Sequence, residues 1–141
     1  MGKAEVIINR RPETVWAFFI KPENWSKWHE QAVLKEVNPG WQEGAIIVWG
    51  RGSTSTVRTF IPVKVVEIES PYITTTFNFT ALVEEGSTLL QAEFAPRGGA
   101  TFSDGGLAHQ VTLESQLFSL KQCVETETTE NQTAKGETIK N

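Results

Sequence analysis

The sequence predicts an α+β domain: an antiparallel sheet of six or seven strands, two short helices after the first strand, and one long amphipathic C-terminal helix. Three observations carry this. Residues 73–83 alternate, with Ile73, Thr75, Phe77, Phe79, Ala81 and Val83 on one face and Thr74, Thr76, Asn78 and Thr80 on the other, the period of a strand. Residues 53–69 form a long β-branched run. Leu113, Leu117, Leu120 and Val124 recur at spacings of 4, 3 and 4, the stripe of a helix with one buried face.

The elements follow in order. Residues 3–9, rich in Val and Ile, read as the first strand. Pro12 suits a first helical turn, and Glu13 places negative charge near its positive end. Val15, Phe18 and Phe19 form that helix's apolar stripe, and Pro22 stops it. A short helical turn over 23–28 follows. Residues 32–37 and 45–51 read as two strands separated by a turn around Pro39, Gly40 and Gly44. Pro62 interrupts the long β-branched run and implies a bulge, an edge or a break; the parity of Val57, Thr59 and Ile61 against Val66 and Ile68 points to a bulge there. Glu85–Gly86–Ser87 reads as a hairpin turn, after which Leu90, Ala92 and Phe94 point inward. The final helix is expected from Leu107 to about Glu127. Residues 1–128 then form a single domain, and the polar, aperiodic stretch 129–141 is expected to be a disordered tail.

Composition narrows the function. The 141 residues carry 13 Lys plus Arg against 17 Asp plus Glu, a net charge of −4. With no cationic excess to neutralise phosphates, nucleic acid is not an expected partner. No apolar run approaches the roughly 18 residues a membrane helix needs, so no membrane span is expected. The N-terminal residues lack an apolar signal core, and the single cysteine, Cys123, cannot form an intrachain disulfide; the expected location is the cytoplasm.

The order of elements, with Pro12-x-x-Val15-Trp16, then Trp25-x-x-Trp28, and Pro71 following the acidic Glu67 and Glu69, resembles the START and birch-pollen-allergen superfamily, also called SRPBCC, which includes polyketide cyclase/dehydrase-like proteins. The resemblance covers about residues 3–128. It implies the helix-grip fold, in which the curved sheet wraps around the long helix and leaves an apolar cavity between them. A twisted antiparallel sheet has one apolar face, and one helix cannot fill its whole concavity. Phe77, Phe79, Phe94, Leu113 and Leu117 are expected to line that cavity, with Trp28 and Trp49 at its wall or mouth and His29 and Arg58 as polar contacts. The same inward parity equally describes a solid core, so lining and filling stand as alternatives. Trp16 and Trp25 are expected to anchor the short helices to the sheet.

Catalytic motifs are sparse, and no catalytic residue is assigned. Metal binding needs three converging ligands, and only His29 and His109, with Asp104 nearby in sequence, offer themselves; no metal or other cofactor is expected. Gly50-Arg51-Gly52-Ser53 is not a nucleophile elbow, and it lacks the third Gly of a dinucleotide loop. Cys123 has no cation placed to make it a thiolate. Candidates for acid–base work are His29, Glu30, Arg58, Lys64 and Tyr72, although charged strand residues are usually solvated. No helix reads as an exposed apolar surface for a protein partner. Two functions remain. One is binding of a hydrophobic or amphipathic small molecule, lipid- or polyketide-like, in the cavity. The alternative is a polyketide cyclase or dehydratase-like enzyme using the same cavity. The oligomeric state is not legible.

Overall fold

The computed structural model describes residues 2–29, 33–83, 86–99 and 101–140, with side chains described as far as Glu127. Strand β1 (Gly2–Ile8) leads into helix α1 (Pro12–Phe19) and a 3-10 helix (Pro22–Lys27). Strands β2 (Leu34–Asn38), β3 (Ile46–Trp49), β4 (Thr54–Ile61), β5 (Val65–Glu69), β6 (Ile73–Ala81) and β7 (Thr88–Pro96) follow, and helix α2 (Leu107–Lys140) ends the chain. All seven strands form one antiparallel sheet in the order β1-β7-β6-β5-β4-β3-β2. This is the α+β helix-grip arrangement, with two short helices after the first strand. Side chains in the expected tail, 129–141, lie outside the described residues, as does part of the turn at Glu85.

Pro62 is a correction. It does not sit in a bulged strand; residues 62–64 form the turn that splits the long run into β4 and β5. The bulge lies at Arg58, where the register steps from Val57↔Ile68 to Thr59↔Glu67. One extra residue there turns Phe60 inward three positions after Val57. The parity conflict in the sequence was therefore genuine but belonged four residues earlier.

Helix α1 buries Val15, Trp16, Phe18 and Phe19 against the sheet. Their aromatic rings seed a dense cluster. Trp16 stands 5.2 Å edge-on to Phe79 and 5.3 Å from Phe60, while Phe19 meets both Phe77 (5.1 Å) and Phe79 (5.2 Å). Trp25 of the 3-10 helix and Trp28 just after it close on Phe19 at 5.1 and 5.8 Å. Trp25 Nε1 donates to Phe19 O and Trp41 Nε1 to Ile20 O, so these indoles bury their rings without stranding their donors. The cluster fills one end of the sheet's concavity. Further along, Leu117, Leu120 and Val124 of α2 are at most 1% exposed and complete a solid core. The opposite side of α2 departs from expectation: Leu107, Val111 and Phe118 share one outward face and are each more than half exposed.

Helix α2 begins at a turn that Gly106 makes at φ +89°, and a side chain at Gly106 would also press on Phe94. Asp104 caps the helix, its two oxygens accepting the Gly106 and Ala108 N–H groups at 2.9 Å each. These hydrogen bonds hold its carboxyl below the usual carboxylate range.

Candidate functional site

Where the aromatic cluster and the solid part of α2 end, the concavity stays open. A cavity of about 380 Å³ lies between the sheet and the N-terminal half of α2. Its floor is Ile68, Ile73, Thr75 and Phe77 of the central strands. Trp25, His29 and Trp49 form one side, Arg51 and Ser53 stand near the β3–β4 turn, and Ser70 follows β5. Across from them α2 contributes His109, Leu113 and Gln116, at spacings of 4 and 3, one helical stripe.

Of the residues expected from sequence to contact a ligand, His29, Trp49, Phe77 and Leu113 lie together on this wall. Five others lie off it. Arg58 is on the outer surface, its side chain 59% exposed and paired with Glu69 at 3.4 Å. Its neighbour Val57 is fully buried on the inner face, and Arg58 points the other way. Trp28 is fully buried among Trp25, Phe19 and Phe77. Phe79 is packed against Trp16 and Phe19, and Leu117 belongs to the filled core. Phe94 lies beside the cavity-floor residue Thr75 on the neighbouring strand, edge-on to His109 at 4.4 Å. Among the acid–base candidates, Lys64 is exposed in the β4–β5 turn, Tyr72 is 72% exposed, and Glu30 lies outside the described residues.

The residues that the sequence reading passed over are mostly polar. His109 is half-buried between Phe94 and Phe102, whose rings stand 4.4 and 6.3 Å away. Its Nε2 is buried and makes no hydrogen bond among the described residues. Burial therefore pushes its pKa below the ordinary histidine value of 6.5, and the imidazole is neutral near pH 7. Gln116 is only 8% exposed, yet lies on the cavity wall. Trp49 Nε1 donates to Ser55 Oγ at 2.8 Å, and Ser55 Oγ lies 2.7 Å from Ser70 Oγ. His29 stacks on Trp49 at 5.5 Å with the rings 19° from parallel. Sequence carried a signal for some of these. Thr75 and Ile73 share the inward parity of Phe77, and His109 extends the stripe of Leu113 by one turn.

Other chemistries find little here. Among the described residues no three His, Cys, Asp or Glu side chains gather where they could hold a metal ion. Cys123 is partly buried, and burial pushes its thiol above the usual value, away from a reactive thiolate. No described helix is long and apolar enough to cross a membrane.

The architecture and the cavity beneath α2 define a helix-grip protein of the SRPBCC superfamily. More narrowly, the chain belongs to the polyketide cyclase / dehydrase and lipid transport family, which it matches over residues 3–122. No curated protein matches the sequence. Solved structures share the fold at low identity. DynU16, a protein of the dynemicin biosynthetic locus, superposes with a TM-score of 0.70 at 14% identity. That match covers 89% of this chain and 47% of DynU16, so the chain spans about half the length of that relative. CalU16 from Micromonospora echinospora gives 0.64 at 18% identity, covering 95% and 82% of the two chains. A START superfamily protein from Mycobacterium smegmatis gives 0.63 at 16%, covering 88% and 96%.

Proposed function

We propose that this protein binds a hydrophobic or amphipathic small molecule, lipid- or polyketide-like, in the cavity between the sheet and α2, and that it does so in the cytoplasm. The observation that carries the reading is the cavity itself, about 380 Å³ with Trp49, Phe77, Ile68 and Leu113 on its wall. A volume of that order suits a drug-sized molecule, and mostly apolar walls with a few placed polar groups are what such sites present. The mouth carries Arg51 and the wall carries Gln116 and Ser70, which suits a ligand with a polar end. The family match, which joins cyclases with lipid transport, supports the same reading.

One observation favours the alternative, a cyclase or dehydratase-like enzyme. Two imidazoles, His29 and His109, line the same cavity from opposite sides, and burial lowers the His109 pKa, favouring the neutral form that accepts a proton. Native mass spectrometry of protein purified from its own host separates the two. Binding predicts a co-purifying apolar molecule, unchanged on incubation. Catalysis predicts that the molecule is converted, and that His109→Phe stops the conversion while the molecule still binds. Protein that arrives with nothing bound and takes up no apolar probe contradicts both.

A further inference from the structure

We propose that Ser70 presents a hydroxyl hydrogen, polarised by a relay from Trp49 through Ser55, to an acceptor oxygen of the bound molecule, so that the cavity selects an apolar ligand bearing a carbonyl. The proposal rests on the binding function above and adds the chemistry the ligand must carry.

The direction of the relay follows from counting donors. An indole N–H can only donate, so the 2.8 Å contact between Trp49 Nε1 and Ser55 Oγ makes Ser55 the acceptor. The Ser55 hydroxyl has one hydrogen of its own to place. Its residue is 4% exposed, so water cannot readily take that hydrogen, and the indole cannot accept it. Among the described residues the remaining partner is Ser70 Oγ, at 2.7 Å. Ser55 therefore donates and Ser70 accepts. The reverse direction leaves a buried hydroxyl hydrogen with no acceptor, which folded proteins avoid.

The Ser70 hydrogen is then left over. No acceptor for it exists among the described residues, and Ser70 lies on the cavity wall. Its backbone is fixed on both sides: Ser70 N–H donates to Ile73 O at 2.9 Å, and Ser70 O accepts from Arg97 Nη1 at 2.9 Å. Arg97 is in turn held by Glu69 at 2.9 Å. A donor at the end of a chain of hydrogen bonds is strengthened by the links behind it. The group it suits is a ketone, ester or carboxylate oxygen. An amine or ammonium head offers hydrogens where the wall already supplies one.

Two matched fluorescent probes test this. Prodan is a naphthalene carrying a dimethylamino group and a propionyl ketone, and its emission moves to the red when the ketone accepts a hydrogen bond. Its analogue with propyl in place of propionyl has nearly the same shape and lacks the carbonyl acceptor. Both are titrated into the parent protein and into Ser70→Ala, Ser70→Thr and Trp49→Phe, each first checked for a cooperative melt. Ser70→Ala should weaken prodan about three- to tenfold, the range one hydrogen bond supplies, and shift its bound emission to the blue. It should leave the propyl analogue's affinity within about twofold. Ser70→Thr, which keeps a hydroxyl, should retain the preference, and Trp49→Phe should give a smaller loss of the same sign. Unchanged prodan affinity and emission in Ser70→Ala, or equal losses for both probes, overturns the proposal while leaving the cavity reading intact. Failure of both probes to bind the parent overturns the cavity reading and this proposal with it.

Discussion

Gln110 of α2 and Lys3 of β1 exchange two hydrogen bonds, Lys3 N–H donating to Gln110 Oε1 at 3.0 Å and Gln110 Nε2 donating to Lys3 O at 2.5 Å. The side-chain amide takes the place of a neighbouring strand. The pattern continues along the edge, where Lys121 Nζ donates to Ile7 O and Glu125 Oε2 accepts the Asn9 N–H. Helix α2 thus satisfies backbone groups of Lys3, Ile7 and Asn9 along the outer edge of β1 and just past its end, a row that would otherwise invite another chain.

Gln110→Ala should therefore act in two ways. It should lower stability by about 1 kcal/mol, since both lost bonds are exposed. It should also open the edge of β1 to pairing. Denaturant titration reads the first effect and sedimentation at rising concentration the second. An unchanged midpoint together with an unchanged sedimentation profile contradicts the role.

Leu117 and Leu113 separate core from cavity. Both are buried, at 1% and 2% exposure, but only Leu113 borders the open space. Large-to-small changes cost about 2–5 kcal/mol, more where the removed atoms had full packing. Leu117→Ala should fall near the top of that range and Leu113→Ala near the bottom. Equal losses in chemical denaturation contradict the boundary drawn between them.

His109 should make stability pH-dependent. Its folded pKa lies below the unfolded value, so the unfolded chain binds the proton first as pH falls. Stability from this group is complete above about pH 6.5 and declines below it, until the folded imidazole also titrates. The wild-type melting temperature should therefore fall relative to that of His109→Phe between pH 7 and 5, a range chosen to lie above the carboxylate values of about 4. Asp104 is held below its ordinary value by the backbone N–H groups it accepts. Glu125 is also held below its ordinary value, because hydrogen bonds from Asn9 and Lys121 and the nearby positive charges outweigh the burial that pushes it up. Parallel pH curves for the two proteins contradict the assignment.

Residues 129–141 are proposed to lie outside the folded domain. The last buried side chain of α2 among the described residues is Val124, so deleting them removes nothing from the described core. The melting temperature should stay within about one degree, because a polar segment buries little. A clear drop in calorimetry shows instead that the segment docks.

The fold was legible because its signals are local. Ile73 to Ala81 alternates within one strand, and Leu113 to Val124 repeats within one helix. The site was legible only in part, for a physical reason. Parity places Phe77, Phe79 and Phe94 on the inner face, and all three are buried there. Whether an inward ring meets space or another ring depends on what the far elements supply. Trp16 and Phe19 reach Phe79, while Thr75 borders the cavity. Arg58 was misplaced because the parity break in this run, marked at its true position by no Gly or Pro, leaves the inner face of β4 unassigned in the sequence. The Ser55–Ser70 relay joins residues fifteen apart across two strands, and no spacing rule announces such a pair.

The most direct test of the open cavity is to fill it. Thr75 lies on the cavity floor between Ile68 and Phe94 of the flanking strands, whereas Ala92 has the same inward direction but lies off the wall, fully buried between Phe77 and Ala4. Stability and binding of an apolar fluorescent probe are measured for the parent, Thr75→Phe and Ala92→Phe. The parent should bind the probe with one-to-one stoichiometry. Thr75→Phe should abolish binding with stability kept or raised, because the new ring supplies contacts the void lacks. Ala92→Phe should instead cost about 1–3 kcal/mol by overpacking. A parent that binds no probe, together with a comparable loss of stability in both variants, would mean that the space beneath α2 is solid core.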